Sequence, residues 1–176
     1  TRTPSSAASD VYKRQMSGHS APLTKLMLIP DAWSKKSKIL PKNQLKLFNF
    51  LNSTMEPWDG PAALAGTDNE WVIAASDRNG LRPLRFTITR DKLLFAGSET
   101  GMVDLNEKKI IRKGRLGPGE IIGVRIEKGK VFTNSQIKDY LAREYRHFNN
   151  QIIDLDKKFP IEKENNNYEG SELRKR

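Results

Sequence analysis

The run Asp77-Arg-Asn-Gly-Leu-Arg-Pro-Leu84 constrains this protein more than any other, because its residues leave the backbone few choices. Asn79-Gly80 supplies the positive φ that glycine, and sometimes asparagine, adopts at little cost. Arg82 precedes Pro83, which drives it out of the helical region into an extended one, and Pro83 offers no backbone donor. The run predicts a sharp turn holding a guanidinium, set between two segments that read as strands. Taken alone, it describes a hairpin corner with a solvated arginine.

A second constrained run precedes it. In Met55-Glu-Pro-Trp-Asp-Gly-Pro-Ala-Ala-Leu64, Glu56 and Asp59 bracket Trp58 within a Pro/Gly-stiffened loop. Such a loop either lines a pocket or seats a packing tryptophan under a tight turn, and both readings stay open. Gly114-Arg-Leu-Gly-Pro-Gly119 has the glycines of a phosphate-binding loop. It lacks the Gly-x-x-x-x-Gly-Lys-Ser/Thr pattern and no helix reading follows it, so it predicts a turn before a strand.

The order of elements around these runs is α+β. Residues 20–29 and 41–55 read as helices, the second with Pro41 in its first turn and Leu45, Phe48, Leu51 and Met55 at helical spacing. Strand-like runs follow at Ala62–Ala65, Trp71–Ala75, Leu84–Thr89, Leu93–Ala96, Glu120–Ile126 and Lys130–Phe132. Short links at Gly66–Asn69, Arg90–Lys92 and Glu127–Gly129 imply antiparallel neighbours, since parallel strands need a long crossover. Asn134 or Ser135 is placed to cap a last helix carrying Ile137, Leu141, Tyr145 and Phe148. Residues 162–168 turn polar and read as a linker.

Composition excludes several classes. At 176 residues one domain is expected, and 36% apolar residues with 12 glycines allow a core of modest size. No run approaches the ~18 apolar residues of a membrane span. The absence of cysteine excludes a disulfide scaffold and thiolate metal sites, and is compatible with a cytoplasmic protein. His19 and His147 stand apart, with neighbours typical of surface or helix-end positions, so no metal site is expected. The net charge of +10 is spread over Lys35-Lys36, Lys108-Lys109, Arg112-Lys113 and both ends. Neither an RNA-recognition nor a single-strand module signature accompanies it, which argues against a nucleic-acid partner.

Taken together, five motifs resemble one family in order and spacing. They are Met27-Leu-Ile-Pro-Asp-Ala-Trp33, Met55–Leu64, Asp77–Leu84, Gly97-Ser-Glu-Thr-Gly101 and Lys113-Gly-Arg-Leu-Gly-Pro-Gly-Glu120. The family is the glutamate synthase large subunit, within the C-terminal half of its N-terminal class II (Ntn-type) glutamine amidotransferase domain. Gly170-Ser-Glu-Leu-Arg-Lys-Arg176 resembles the segment leading into the next domain. The resemblance implies part of an αββα sandwich, two antiparallel sheets between helical layers. It divides the sequence into a leader at 1–15 unlike the family and expected to be disordered or foreign, a partial amidotransferase domain at 16–159, and a linker with the start of the next domain at 160–176. An incomplete sandwich is expected to keep an open sheet edge and to be poorly stable alone.

The same resemblance sets the functional expectation. The parent enzyme hydrolyses glutamine to glutamate and ammonia through a cysteine thioester and an oxyanion hole. It then uses the ammonia to make glutamate reductively from 2-oxoglutarate, with FMN and an iron–sulfur cluster held elsewhere. Implied partners are glutamine, the remainder of the large subunit, and a small reductase subunit or ferredoxin. Enzymes of this class use an N-terminal cysteine whose α-amino group, titrating near pH ~8, exchanges a proton with a thiol near ~8.5. This protein has no cysteine, and Thr1 is not read as a substitute. The nucleophile and the oxyanion pair are expected upstream, Asn79-Gly80 belonging to a different motif, and the fragment alone is expected to be inactive.

No residue here is therefore expected to be catalytic or to bind metal. Asp77, Arg78, Asn79, Gly80 and Arg82, with Glu99, Trp58 and Asp59, are expected to support the site or scaffold. For Arg82 the expectation is a scaffold ion pair with Asp77 or Glu99, since a buried guanidinium needs a carboxylate. Two alternatives remain: a class II amidotransferase of the phosphoribosylpyrophosphate type, and a non-catalytic basic binding module. Met55–Leu64 and Lys113–Glu120 favour glutamate synthase over the first.

Overall fold

The computed structural model describes residues 4–30, 41–54 and 57–147. The fold opens with helices α1 (Pro4–Met16), α2 (Ala21–Leu28) and α3 (Lys42–Thr54). Seven strands follow: β1 (Ala63–Thr67), β2 (Trp71–Ser76), β3 (Leu84–Thr89), β4 (Leu94–Gly97), β5 (Ile110–Leu116), β6 (Ile121–Arg125) and β7 (Lys130–Phe132). Helix α4 (Asn134–Glu144) closes the described part.

The strands form two antiparallel sheets, one ordered β1-β2-β6-β7 and the other β4-β3-β5. Alternation along β2 and β6 explains why the first sheet is buried on both faces. Trp71, Ile73 and Ala75 of β2, with Ile121 of β6, point to the helices and pack on Leu23, Leu26, Leu47, Phe48, Leu51, Ile137 and Leu141. Ala74 and Ile122 point the other way, onto Leu84, Phe86 and Leu116 of the second sheet. Trp71 is wedged between Phe132 and Tyr140, with ring centroids 5.1 and 5.6 Å away. Gly123 has no side chain because an added Cβ would lie 3.0 Å from Ile73 and 3.4 Å from Ile137 of α4. The layers run helix, sheet, sheet, which is a partial αββα sandwich of α+β class. Among the described residues no α-helix covers the outer face of the second sheet, where the backbone from β4 to β5, with a 3-10 turn at Glu107–Lys109, passes β3 instead.

Several expectations need correction. Residues 4–16 form α1, where the sequence reads as a structureless leader; Val11 and Gln15, one turn apart, line a small apolar cavity with Leu28 and Leu64. Strand β5 has no counterpart among the strand-like runs of the sequence. The buried stripe of α3 is Gln44, Leu47, Phe48 and Leu51, with Leu45 only half-buried. Helix α4 is capped one residue earlier, at Thr133, whose backbone N–H donates to Gln136 Oε1 at 3.0 Å. Asn134 instead accepts the Ile121 N–H at 3.3 Å. Trp33, Met55, Glu56, Phe148, the linker at 162–168 and the run Gly170–Arg176 lie outside the described residues.

Candidate functional site

The backbone changes sheet twice, and both crossings lie side by side. Residues 77–83 lead from β2 in the first sheet to β3 in the second, and residues 117–120 lead from β5 back to β6. The two most specific motifs of the sequence are therefore the two inter-sheet connections.

Asp77 organises the first crossing. It is 2% exposed, and its carboxylate accepts the backbone N–H groups of Leu81 at 2.9 Å, Arg82 at 3.0 Å, Asn79 at 3.2 Å and Ala62 at 3.3 Å. Its carbonyl accepts from Gly80 at 3.1 Å and from Gly119 of the second crossing at 2.8 Å. Burial pushes the Asp77 carboxyl upward, but the N–H groups of Leu81, Arg82, Ala62 and Asn79 outweigh it and hold the group below its ordinary value. Gly80 sits at φ +65°, and a Cβ there would come within 3.1 Å of Pro118, so the sequence needs glycine for conformation and for contact.

The second crossing is held by similar means. Ser76 N–H donates to the Glu120 carbonyl at 3.0 Å, and Ser76 Oγ donates to the Gly117 carbonyl at 2.5 Å. The Glu120 carboxylate accepts the Gly117 N–H at 2.7 Å. Lys25, 4% exposed on α2, donates from Nζ to the Gly119 carbonyl at 2.5 Å. A continuous series of hydrogen bonds thus joins α2 through Gly119 to the Asp77 turn.

Arg82 behaves differently from expectation. Its backbone N–H, not its guanidinium, engages Asp77; its side chain is exposed, and among the described residues no ion pair joins it to Asp77 or Glu99. The reason is saturation: four backbone donors already surround the Asp77 oxygens. Arg78 is half-buried and Asn79 exposed on the same turn. Glu99 is exposed elsewhere, in the β4–β5 crossover, where it lines a cleft of about 600 Å³ with Arg85, Phe95, Met102 and Lys113. Met102 is seated on Gly97, where a Cβ would overlap its methyl carbon.

Trp58 is half-buried, and its backbone N–H donates to the Leu28 carbonyl at 2.7 Å. Its ring lines an apolar cavity of about 50 Å³ beside Thr24, Leu28, Ile29 and Ile73, so it packs the loop onto α2. Asp59 is exposed and accepts the adjacent Gly60 N–H at 3.0 Å.

Two residues in this framework escape a reading of the sequence. Lys25 is one, and its signal is a charge on a helix whose residues are all buried. Asp68 is the other: its carboxylate accepts N–H groups of Ala21 at 2.5 Å, Trp71 at 2.6 Å and Glu70 at 2.7 Å, pinning the start of α2 to the β1–β2 hairpin. Among the described residues there is no group of three or more His, Cys, Asp or Glu placed to hold a metal ion. The described helices include none long and apolar enough to cross a membrane.

Comparison with known proteins adds to this geometry. The protein is 54% identical over 125 residues to the glutamate synthase [NADPH] large chain of Azospirillum brasilense, covering 71% of this sequence and 8% of that one. It is 41% identical over 121 residues to the ferredoxin-dependent glutamate synthase 2 of Synechocystis sp., covering 68% and 8%. Against the Bacillus subtilis glutamate synthase [NADPH] large chain it is 35% identical over 130 residues, covering 74% and 8%. The match thus spans 8% of the length of each of these relatives. Residues 11–149 match the family model of class-II glutamine amidotransferases, so the match begins inside the stretch read as foreign, and the protein belongs to that family.

Proposed function

We propose that this protein forms part of the glutamine amidotransferase domain of a glutamate synthase large chain, whose whole releases ammonia from glutamine and uses it to make glutamate from 2-oxoglutarate. The observation that carries the reading is the interlocked pair of sheet crossings. They are built from the motifs that resemble glutamate synthases, and relatives at 35–54% identity are named glutamate synthases. This favours the reading over the phosphoribosylpyrophosphate type of amidotransferase and over a basic binding module.

Within that enzyme these residues supply support rather than the reacting group. They include no cysteine, so the thiol that attacks the glutamine amide belongs to another part of the parent. The same absence leaves no thiolate for an iron–sulfur cluster, so these residues do not fit that group. Nor does a helix open directly after the glycines of residues 114–119, as a phosphate cradle for FMN would require; β6 follows instead. Both cofactors are assigned to the remainder of the parent. Its other partners are that remainder and a small reductase subunit or ferredoxin, in line with relatives named for NADPH and for ferredoxin.

Two glutaminase measurements test this. The purified protein should release no ammonia from glutamine above background; turnover would show that a nucleophile other than cysteine operates here. A chimera in which the matched region replaces its counterpart in the Azospirillum relative should keep glutaminase activity. A folded but inactive chimera would overturn the assignment.

A further inference from the structure

The Asp77 turn contains the one Asn-Gly pair in the sequence. In unfolded peptides such a pair is chemically labile. The Gly80 amide nitrogen attacks Asn79 Cγ, a new N–Cγ bond forms, and the Asn79 Cγ–Nδ2 bond breaks. Ammonia leaves with the proton that the Gly80 nitrogen gives up. Water then opens the resulting ring at either carbonyl, giving aspartate or isoaspartate. Net, one water is consumed and one ammonia released, with no oxidant or reductant.

Two features of the fold oppose that attack while leaving Asn79 exposed to water. The Gly80 N–H that must be lost is committed to the Asp77 carbonyl at 3.1 Å. The Asn79 N–H is held by the Asp77 carboxylate at 3.2 Å, and Pro118 of the neighbouring crossing fills the space a side chain at Gly80 would take. The nucleophilic nitrogen is thus held on a closed turn whose opening is the limiting event.

We propose that Asn79 is a masked deamidation site whose lifetime is set by closure of the Asp77 turn. The product is not neutral for the fold. Aspartate at position 79 adds a second negative charge to the turn, two residues from Asp77, and isoaspartate adds a methylene to the backbone between Asp77 and Gly80. Either change opposes reclosure, so the modification records, irreversibly, that the two crossings have come apart.

The test is peptide mapping by mass spectrometry, following aspartate and isoaspartate at position 79 in the full-length protein at neutral pH. Three samples are compared: native protein, protein in concentrated urea, and the D77N variant in buffer. The native protein should deamidate about tenfold or more slowly than the urea sample, the factor that about 1.4 kcal/mol of opening free energy imposes. D77N should approach the urea rate. If D77N loses its whole fold by circular dichroism, E120A replaces it, since it loosens the 117–120 crossing without touching the Asp77 carboxylate and should fall between the two limits. Equal rates in native and urea samples would overturn the proposal, as would a folded D77N or E120A that deamidates no faster than wild type.

Discussion

At the scale of single residues the structure rests on buried groups that satisfy backbone donors rather than partner side chains. Asp77 is the main example, because four N–H groups converge on one carboxylate, with no ion pair to it among the described residues. Replacing it by asparagine removes one acceptor oxygen and turns an amide donor toward donors. The expected cost is roughly 2–4 kcal/mol, read as a lower denaturant midpoint. The pH dependence has a definite sign. A carboxyl held below its ordinary value in the folded state contributes stability that is fully present above the unfolded value of about 3.9. That contribution is lost as pH falls through the lower folded value. Acid titration of stability should therefore drop below pH about 4 for wild type and be flatter for D77N. Equal slopes for the two proteins would refute the assignment. The sequence announces the turn, through Asn79-Gly80 and Pro83, but assigns Asp77 to the wrong partner. Spacing shows that a carboxylate and a guanidinium are near each other; it does not show that backbone donors arrive first.

At the scale of elements, β5 is the instructive strand. Its inward positions are Arg112, Gly114 and Leu116, too polar to read as a buried face. The apolar surface comes from the neighbour: Phe86 of β3 lies across Gly114, and the Arg112 guanidinium sits 5.6 Å from the centre of the Phe86 ring. An added Cβ at Gly114 would lie 2.4 Å from that ring, so Gly114→Ala should cost about 1–3 kcal/mol by overpacking. Gly66 on β1 is the control, because a Cβ there meets Ile73 at 3.4 Å, an ordinary contact. Gly66→Ala should change stability by no more than about 1 kcal/mol, in the stabilising direction. If urea melts rank the two variants the other way, the packing of β3 on β5 is not as described. The same physics explains what can be read in advance. β2 reads as an apolar run buried on both faces and β3 as an alternation of apolar and polar residues; each buries its own side chains, so both are legible. β5 borrows its core from Phe86, and in α1 Val11 is only half-buried, so neither announces itself by an apolar stripe. Lys25 is hidden for a related reason: its ammonium reaches the Gly119 carbonyl, which is distant from it in the sequence.

At the scale of the whole molecule the sandwich ends in strands with one unpaired side, and those edges differ. The β4-β3-β5 sheet ends on β4, only four residues long, and on β5, which carries Arg112, Lys113 and Arg115. Short length and like charge both oppose edge-to-edge pairing. The β1-β2-β6-β7 sheet ends on β1, whose sequence Ala63-Leu-Ala-Gly-Thr67 carries no charge at all. Its Thr67 carbonyl accepts from Gln15 Nε2 at 2.9 Å, the one hydrogen bond to its backbone from outside the sheet among the described residues. The net charge of +10 repels copies of the protein at low ionic strength, and salt screens that repulsion once the Debye length falls to about 10 Å near 0.1 M. Association through β1 should therefore strengthen with salt, the opposite of binding driven by charge. In sedimentation velocity the protein should show a coefficient that rises with concentration, and more steeply as salt is added. Ala65 is exposed on β1, and Ala65→Lys places a charge on that edge without disturbing the core, so it should restore monomeric behaviour. A wild-type protein that stays monomeric in high salt and melts in one cooperative transition would show that the β1 edge is already protected. Association that A65K leaves untouched would move the sticky surface to the outer face of the second sheet, where Met102 and Val103 are exposed.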